Sequence, residues 1–146
     1  MITEVKDFNS LTPLQLYKIL NLRNLVFVVE QNCPYLDTDG KDFDATHVLI
    51  WDKETLVAYA RILKPGVTYE TSCISRVIVH PDYRKLKLGH LLIKQAIETV
   101  NSLYATNVIT ISAQAHLQKF YNTHGFQTIS EEYLEDNIPH VKMKRQ

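Results

Sequence analysis

The chain has 146 residues, 45% hydrophobic and 22% charged, with 16 basic and 16 acidic side chains and no net charge. That is enough for one domain, residues 1–146, with a sizeable core, and too balanced in charge for a general nucleic-acid binder. No apolar run reaches membrane-spanning length, no signal-peptide core opens the chain, and Cys33 and Cys73 make neither a zinc spacing nor a disulfide framework, so a cytoplasmic protein is expected, with no metal, membrane or nucleic acid among its partners.

Residues 2–8 suit an edge strand. Thr12-Pro13 marks a helix start, with Thr as N-cap and Pro at the first helical position. Leu16, Ile19, Leu20, Val26 and Phe27 carry that helix to about Glu30, with a break near Asn21–Asn24 in view. Arg23 and Glu30 lie seven residues apart, two turns of an α-helix, and so are expected on one face. Residues 37–44 hold four aspartates, but the Gly-to-Glu spacing of a calcium loop is missing. Residues 47–51 and 56–63 read as a hairpin, with Val57, Tyr59, Arg61 and Leu63 expected on one face. On that face Arg61 is either a salt-bridge partner or a pocket residue.

The strand at 73–80 ends at Pro81, and a helix follows with Leu88, Leu92, Ile93, Ala96, Ile97, Val100 and Leu103 on a 3.6-residue period. Between them stand Arg84, Lys85 and Lys87, then Gly89. Cations at a helix N-terminus oppose its dipole, at roughly 0.3–1 kcal/mol each when exposed. They are favourable once an anion docks there, where free N–H groups, the dipole and the side chains converge on a phosphate-sized target. Residues 107–112 read as a strand, a helix from about Ala113 carries Leu117, Phe120 and Tyr121 to Gly125, and 126–133 and 138–143 read as two more strands. The order β-α-β-β-β-α-β-α-β-β implies α/β layering on a mixed sheet with flanking helices.

Val77–Val79, the turn Arg84-Lys-Leu-Lys-Leu-Gly89, the long helix and Phe120-Tyr-Asn-Thr-His-Gly-Phe126 resemble the GNAT superfamily of acetyl-CoA-dependent N-acyltransferases. Val29-Glu-Gln-Asn-Cys-Pro-Tyr35, Tyr59-Ala-Arg-Ile-Leu63, Ala113-Gln-Ala-His-Leu-Gln118 and Glu135-Asp-Asn-Ile-Pro-His140 are similar to the ElaA-type branch and extend the likeness along most of the chain. The resemblance implies acetyl-CoA as cofactor. Its pantetheine arm would lie on the backbone of Val77, Ile78 and Val79 at a splay in the sheet, and its pyrophosphate on the turn Arg84, Lys85, Leu86, Lys87, Leu88 and Gly89. The turn departs from the superfamily pattern at Lys87, where a glycine is expected, and so lacks the backbone freedom that glycine supplies there.

The resemblance also implies acetyl transfer to an amine, small-molecule or protein, with Tyr121, which also borders the cofactor, as proton donor to the leaving thiolate. The base is open among His116, Glu30 and His140. Arg23, Glu30, Arg61, Arg76, Gln114 and His140 are expected to bind a small polar acceptor. A monomer and a homodimer are both open. Rival readings are an acyl-CoA-binding sensor without turnover and a transferase of longer acyl chains, to which the arginine and glutamate of the first helix lend a likeness to acyl-homoserine-lactone synthases. A nucleotide-binding Gly-Lys-Ser/Thr loop is absent, and Cys33 before Pro34 reads as either a packed thiol or a nucleophile.

Overall fold

The computed structural model describes residues 1–146. Its spine is an eight-stranded mixed sheet in the order β1-β2-β3-β4-β5-β8-β6, with β7 also pairing β8. The strands are β1 (Ile2–Asp7), β2 (Thr46–Asp52), β3 (Thr55–Leu63), β4 (Ser72–Val79), β5 (Ile109–Gln114), β6 (Phe126–Thr128), β7 (Tyr133–Glu135) and β8 (Ile138–Arg145). Helix α1 (Pro13–Arg23) opens on a reciprocal cap in which Thr12 and Gln15 satisfy each other's backbone N–H groups, and it packs on one face. There Ile19, Leu22 and Val26 meet Leu49, Trp51, Tyr59 and Ile78. On the other face α2 (Leu88–Tyr104) buries Leu88, Leu92, Ile93, Ala96 and Val100 against Val48, Ile50, Ala60 and Ile62. Each such large side chain contributes roughly 1.5–3 kcal/mol when taken fully from water. Short α3 (Gln118–Asn122) adds Tyr121 to that core.

Several expectations need correction. The first helix does not run as α-helix to Glu30: Asn24–Glu30 is a π-helix. Wider turns shift the phase, so Glu30 is not stacked two regular turns beyond Arg23. Val57 leaves the face of Tyr59 and Arg61, because β2 and β3 slip register at Ile50/Trp51, and it joins the core under α2. β5 runs on to Gln114, and a 3-10 turn, Ala115–Leu117, replaces the expected start of the third helix. The strand read across 126–133 is two short strands, β6 and β7, each paired with a different stretch of β8.

Two irregularities in the middle of the sheet shape the site. β3 and β4 slip register between Tyr59 and Arg61, leaving Arg76 in the left-handed region at φ +52°. β4 pairs with parallel β5 only at Ser72 and Cys73. Beyond Cys73 the strands part, so the β5-side backbone edge of Val77–Val79 has no strand to pair with.

Candidate active site

Two cavities meet where the sheet opens. A cavity of about 770 Å³ follows Val77, Ile78 and Val79 to Arg84, Lys87 and Gly89. A second, of about 380 Å³, runs on between Arg76 on one side and Ser112, Glu135 and His140 on the other. Gln31, Val77, Gln114 and Tyr121 border both.

The turn before α2 gives the larger cavity a cationic wall at a helix N-terminus. No side chain caps the N-terminus of α2, so its first N–H groups are open beside Lys87, Gly89 and His90. Lys87 stands at φ +57°, the left-handed geometry a glycine would take without strain. In a side-chain-bearing residue this conformation costs roughly 1–2 kcal/mol. The departure at Lys87 therefore alters the cost of the turn and leaves its path intact. Gly89 packs closely: a Cβ there would lie 3.3 Å from the Phe120 ring, which would have to shift to admit it. Of the other turn residues, Lys85 and Leu86 are exposed and turned away from the cavity, and the Leu88 side chain is in the core. These three can offer an anion only their backbone.

Arg84 donates through Nε to the Val79 carbonyl at 3.2 Å, and its guanidinium forks onto both oxygens of Glu30 at 3.0 and 2.6 Å. Glu30 is thus held by Arg84 across the cavity, and not by Arg23, which was expected on the same face. Arg23 is fully buried and borders neither cavity, which removes it from the acceptor-binding set. It bonds Asp37 and Asp42, each at 2.6 Å. Arg61, 1% exposed, bonds Asp39 at 2.8 Å and Asp42 at 3.0 Å. Arg76 completes the cluster with Asp37 at 2.9 Å and Asp39 at 3.3 Å.

The aspartate-rich loop is therefore the counter-charge of three arginines. Burial alone pushes the Asp39 and Asp42 carboxyls up, but hydrogen bonds from Arg61 and Arg23 hold both below the ordinary range. His47 donates to the Asp42 carbonyl at 3.0 Å and accepts from the Tyr59 hydroxyl at 2.6 Å. Burial pushes its pKa down, so it stays neutral. Arg61 and Arg76 both reach the smaller cavity, but with their charge already matched.

Tyr121 is 6% exposed, and burial pushes its phenol up, so it keeps its proton throughout the neutral range. His116 is exposed on the 3-10 turn and borders only the larger cavity. Gln114 and His140 are cross-strand partners on β5 and β8. His140, 7% exposed, borders the smaller cavity. Sequence reading passed over His90, Gln31 and the role of Glu135. His90 touches His124 at 2.9 Å and lies against Phe120, and its place in the first turn after Lys87 was the available signal. Cys33 donates its S–H in a hydrogen bond to the Asp136 carbonyl at 3.0 Å, and an amide oxygen is no base to activate a thiol.

Residues 28–146 match the family model described as an acetyltransferase (GNAT) domain. ElaA of Escherichia coli K12 is 46% identical over 94% of this chain and 92% of its own. The crystal structure of E. coli ElaA superposes with a TM-score of 0.93 at 44% identity, covering all of both chains. An acyl-CoA N-acyltransferase from Pseudomonas aeruginosa superposes with a TM-score of 0.94 at 40% identity, again over all of both. An aminoglycoside 6′-N-acetyltransferase solved with coenzyme A shares the fold at a TM-score of 0.72 and 16% identity, covering 99% of this chain and 96% of that one. The parted strands β4 and β5, the uncapped α2 behind a cationic turn and these likenesses lead to one conclusion: the chain belongs to the GNAT acetyltransferase family, among the relatives of ElaA.

Proposed function

We propose that the protein transfers an acetyl group from acetyl-CoA to a primary amine of a small polar acceptor, by direct attack with both substrates bound. The observation that carries this reading is the junction itself: two cavities, one along the open edge of β4 and one lined by polar side chains, share Tyr121 and Gln114 as a common wall. Val77–Val79 would hold the pantetheine arm through the open backbone groups of that edge, the Val79 carbonyl being already bonded by Arg84. The first N–H groups of α2, with Lys87 and Arg84, would hold the pyrophosphate. Acetyl-CoA would supply the activated acyl carbon and the leaving sulfur.

Holding amine and thioester together contributes the larger share, roughly 7–11 kcal/mol. Tyr121 would give its hydroxyl to the sulfur as charge develops there. A phenol pushed up by burial is a weaker acid than a thiol, so full transfer to the sulfur runs uphill. Tyr121 works best as a hydrogen-bond donor that relays the proton the amine nitrogen loses. Tyr121→Phe should lower kcat about 10–100-fold with the dissociation constant for CoA unchanged. An unaltered chemical rate would remove Tyr121 from the reaction.

Thermal unfolding with and without acetyl-CoA tests the reading first, followed by thiol release with putrescine, lysine and tyramine. Ligand at about a hundred times its dissociation constant adds roughly 2.7 kcal/mol, or about 5–11 °C at this size. No rise at millimolar acetyl-CoA and no thiol release would overturn the acetyl-transfer reading in favour of a sensor or a carrier of longer acyl chains.

A further inference from the structure

The hairpin of β7 and β8 turns through Asp136 and Asn137, both at positive φ as a two-residue turn of this kind requires. It sets Glu135 and His140 in the wall of the smaller cavity, with Tyr133 against the His140 ring. The His140 ring stacks on Tyr133 at 6.3 Å. Its Nδ1 lies 2.7 Å from the Ile138 carbonyl, which can only accept, so Nδ1 carries a hydrogen and the neutral form of the ring has its lone pair at Nε2. That lone pair faces Oε2 of Glu135 at 3.4 Å. The other oxygen of Glu135 accepts from Ser112 Oγ at 3.1 Å, and Ser112 in turn meets the Tyr133 hydroxyl at 2.6 Å.

In that neutral form two acceptors, a carboxylate oxygen and an imidazole nitrogen, converge, both bordering the smaller cavity. A primary ammonium, with three hydrogens, satisfies both. The rival bases are worse placed: both oxygens of Glu30 are taken by Arg84, and His116 does not border this cavity. We infer that the acceptor's ammonium docks between Glu135 and His140, and that His140 Nε2 takes its first proton. The inference rests on the transferase reading above.

The step balances. R–NH₃⁺ gives one proton to His140 and becomes R–NH₂. Its nitrogen bonds the acyl carbon, the C–S bond breaks, the nitrogen's second proton leaves with the sulfur as thiol, and His140 releases its proton to water. Glu135 stabilises the imidazolium formed, and Ser112 and Tyr133 fix the carboxylate. The other groups facing His140 are Asp136 on the turn and uncharged Gln114 on β5. Across the cavity stand Lys41, Arg61 and Arg76 with Asp39, and the phenols of Tyr35, Tyr69 and Tyr121. Burial pushes these three phenols up, so none titrates between pH 6 and 9.5.

The test is thiol release from acetyl-CoA between pH 6 and 9.5, with putrescine, lysine and tyramine as acceptors. For the fastest of them, His140→Gln should lower kcat/KM about 100-fold at pH 7. The loss should shrink towards pH 9.5, where the amine sheds its own proton, and acetyl-CoA affinity should stay within about twofold. Glu135→Gln, at a half-exposed position, should raise KM for the amine about tenfold. A His140→Gln loss equal at every pH, or no loss beyond about threefold, overturns the assignment. Should that variant not fold, an unchanged KM and pH profile in Glu135→Gln overturns it equally. A parent protein that binds acetyl-CoA but releases no thiol with any of the three amines overturns the transferase reading itself, whereas turnover unaffected by either variant overturns the His140 site alone.

Discussion

Two arginine–carboxylate groups flank the stretch from Arg23 to Glu30, and they do opposite work. Arg84 and Glu30 form a forked pair whose side chains are 46% and 36% exposed, at the mouth of the larger cavity. Arg23 and its partners Asp37 and Asp42 are buried, with the Arg23 side chain at 0%. The chemical groups are alike, but the surrounding dielectric differs. Water solvates Arg84 and Glu30 whether or not they are paired, so such a pair contributes about 0.2–1 kcal/mol and can open for a ligand. Arg23 has no water to return to. Removing it leaves Asp37 and Asp42 buried with one arginine each, Arg76 and Arg61, where they had two, a loss of up to roughly 3–5 kcal/mol. Pair chemistry therefore does not say which arginine is available for binding. Burial does.

The largest expected effect is on the buried side. Arg23→Gln should lower unfolding free energy by up to roughly 3–5 kcal/mol in urea titration, and a change under 1 kcal/mol would mean that the cluster is solvated. Acid probes the same cluster without mutation. His47, Asp39 and Asp42 all have folded pKa values below their unfolded ones, so each contributes stability at higher pH that is lost on acidification. The His47 contribution should start to fall as pH drops below 6.5, and that of the two aspartates below 3.8. A melting temperature flat from pH 7 to 3 would contradict the network.

On the exposed side the effects are smaller and concern binding. Arg84→Glu should weaken CoA binding about tenfold or more by calorimetry. Glu30→Gln, which frees Arg84, should tighten it about twofold to fivefold with little change in stability. Weaker binding in Glu30→Gln would show that the pair itself, and not free Arg84, forms the site. The smallest change is expected for Lys87→Gly. Relief of left-handed strain and loss of unfolded-state restriction nearly offset each other, leaving stability within about 1 kcal/mol. The lost charge should weaken CoA by only a few fold.

Local signals in the chain were enough for much of the frame. The Thr12-Pro13 start, the apolar period of α2, the β-branched runs of β2 to β5 and the cationic turn through Gly89 each depend on neighbours within a few residues, where propensity, capping and periodicity act. The signals failed where the decisive partner was distant. The phase of the first helix changed because Asn24–Glu30 adopts a π-helix. The acidic loop looked like a failed calcium site because its cations, Arg61 and Arg76, lie 22 and 37 residues beyond Asp39.

The division has one physical cause. The order of residues determined most of the helix and strand segments and that cations would gather at the start of α2, because those follow from backbone sterics, side-chain periodicity and the chain order itself. Only tertiary packing could decide that Arg23 would be enclosed and Arg84 left open. The same holds for the parting of β4 from β5 after Cys73, and for His140 and Glu135 meeting across a hairpin. Burial, register and the approach of side chains from different strands are properties of the assembled sheet, and no short stretch of the chain carries them.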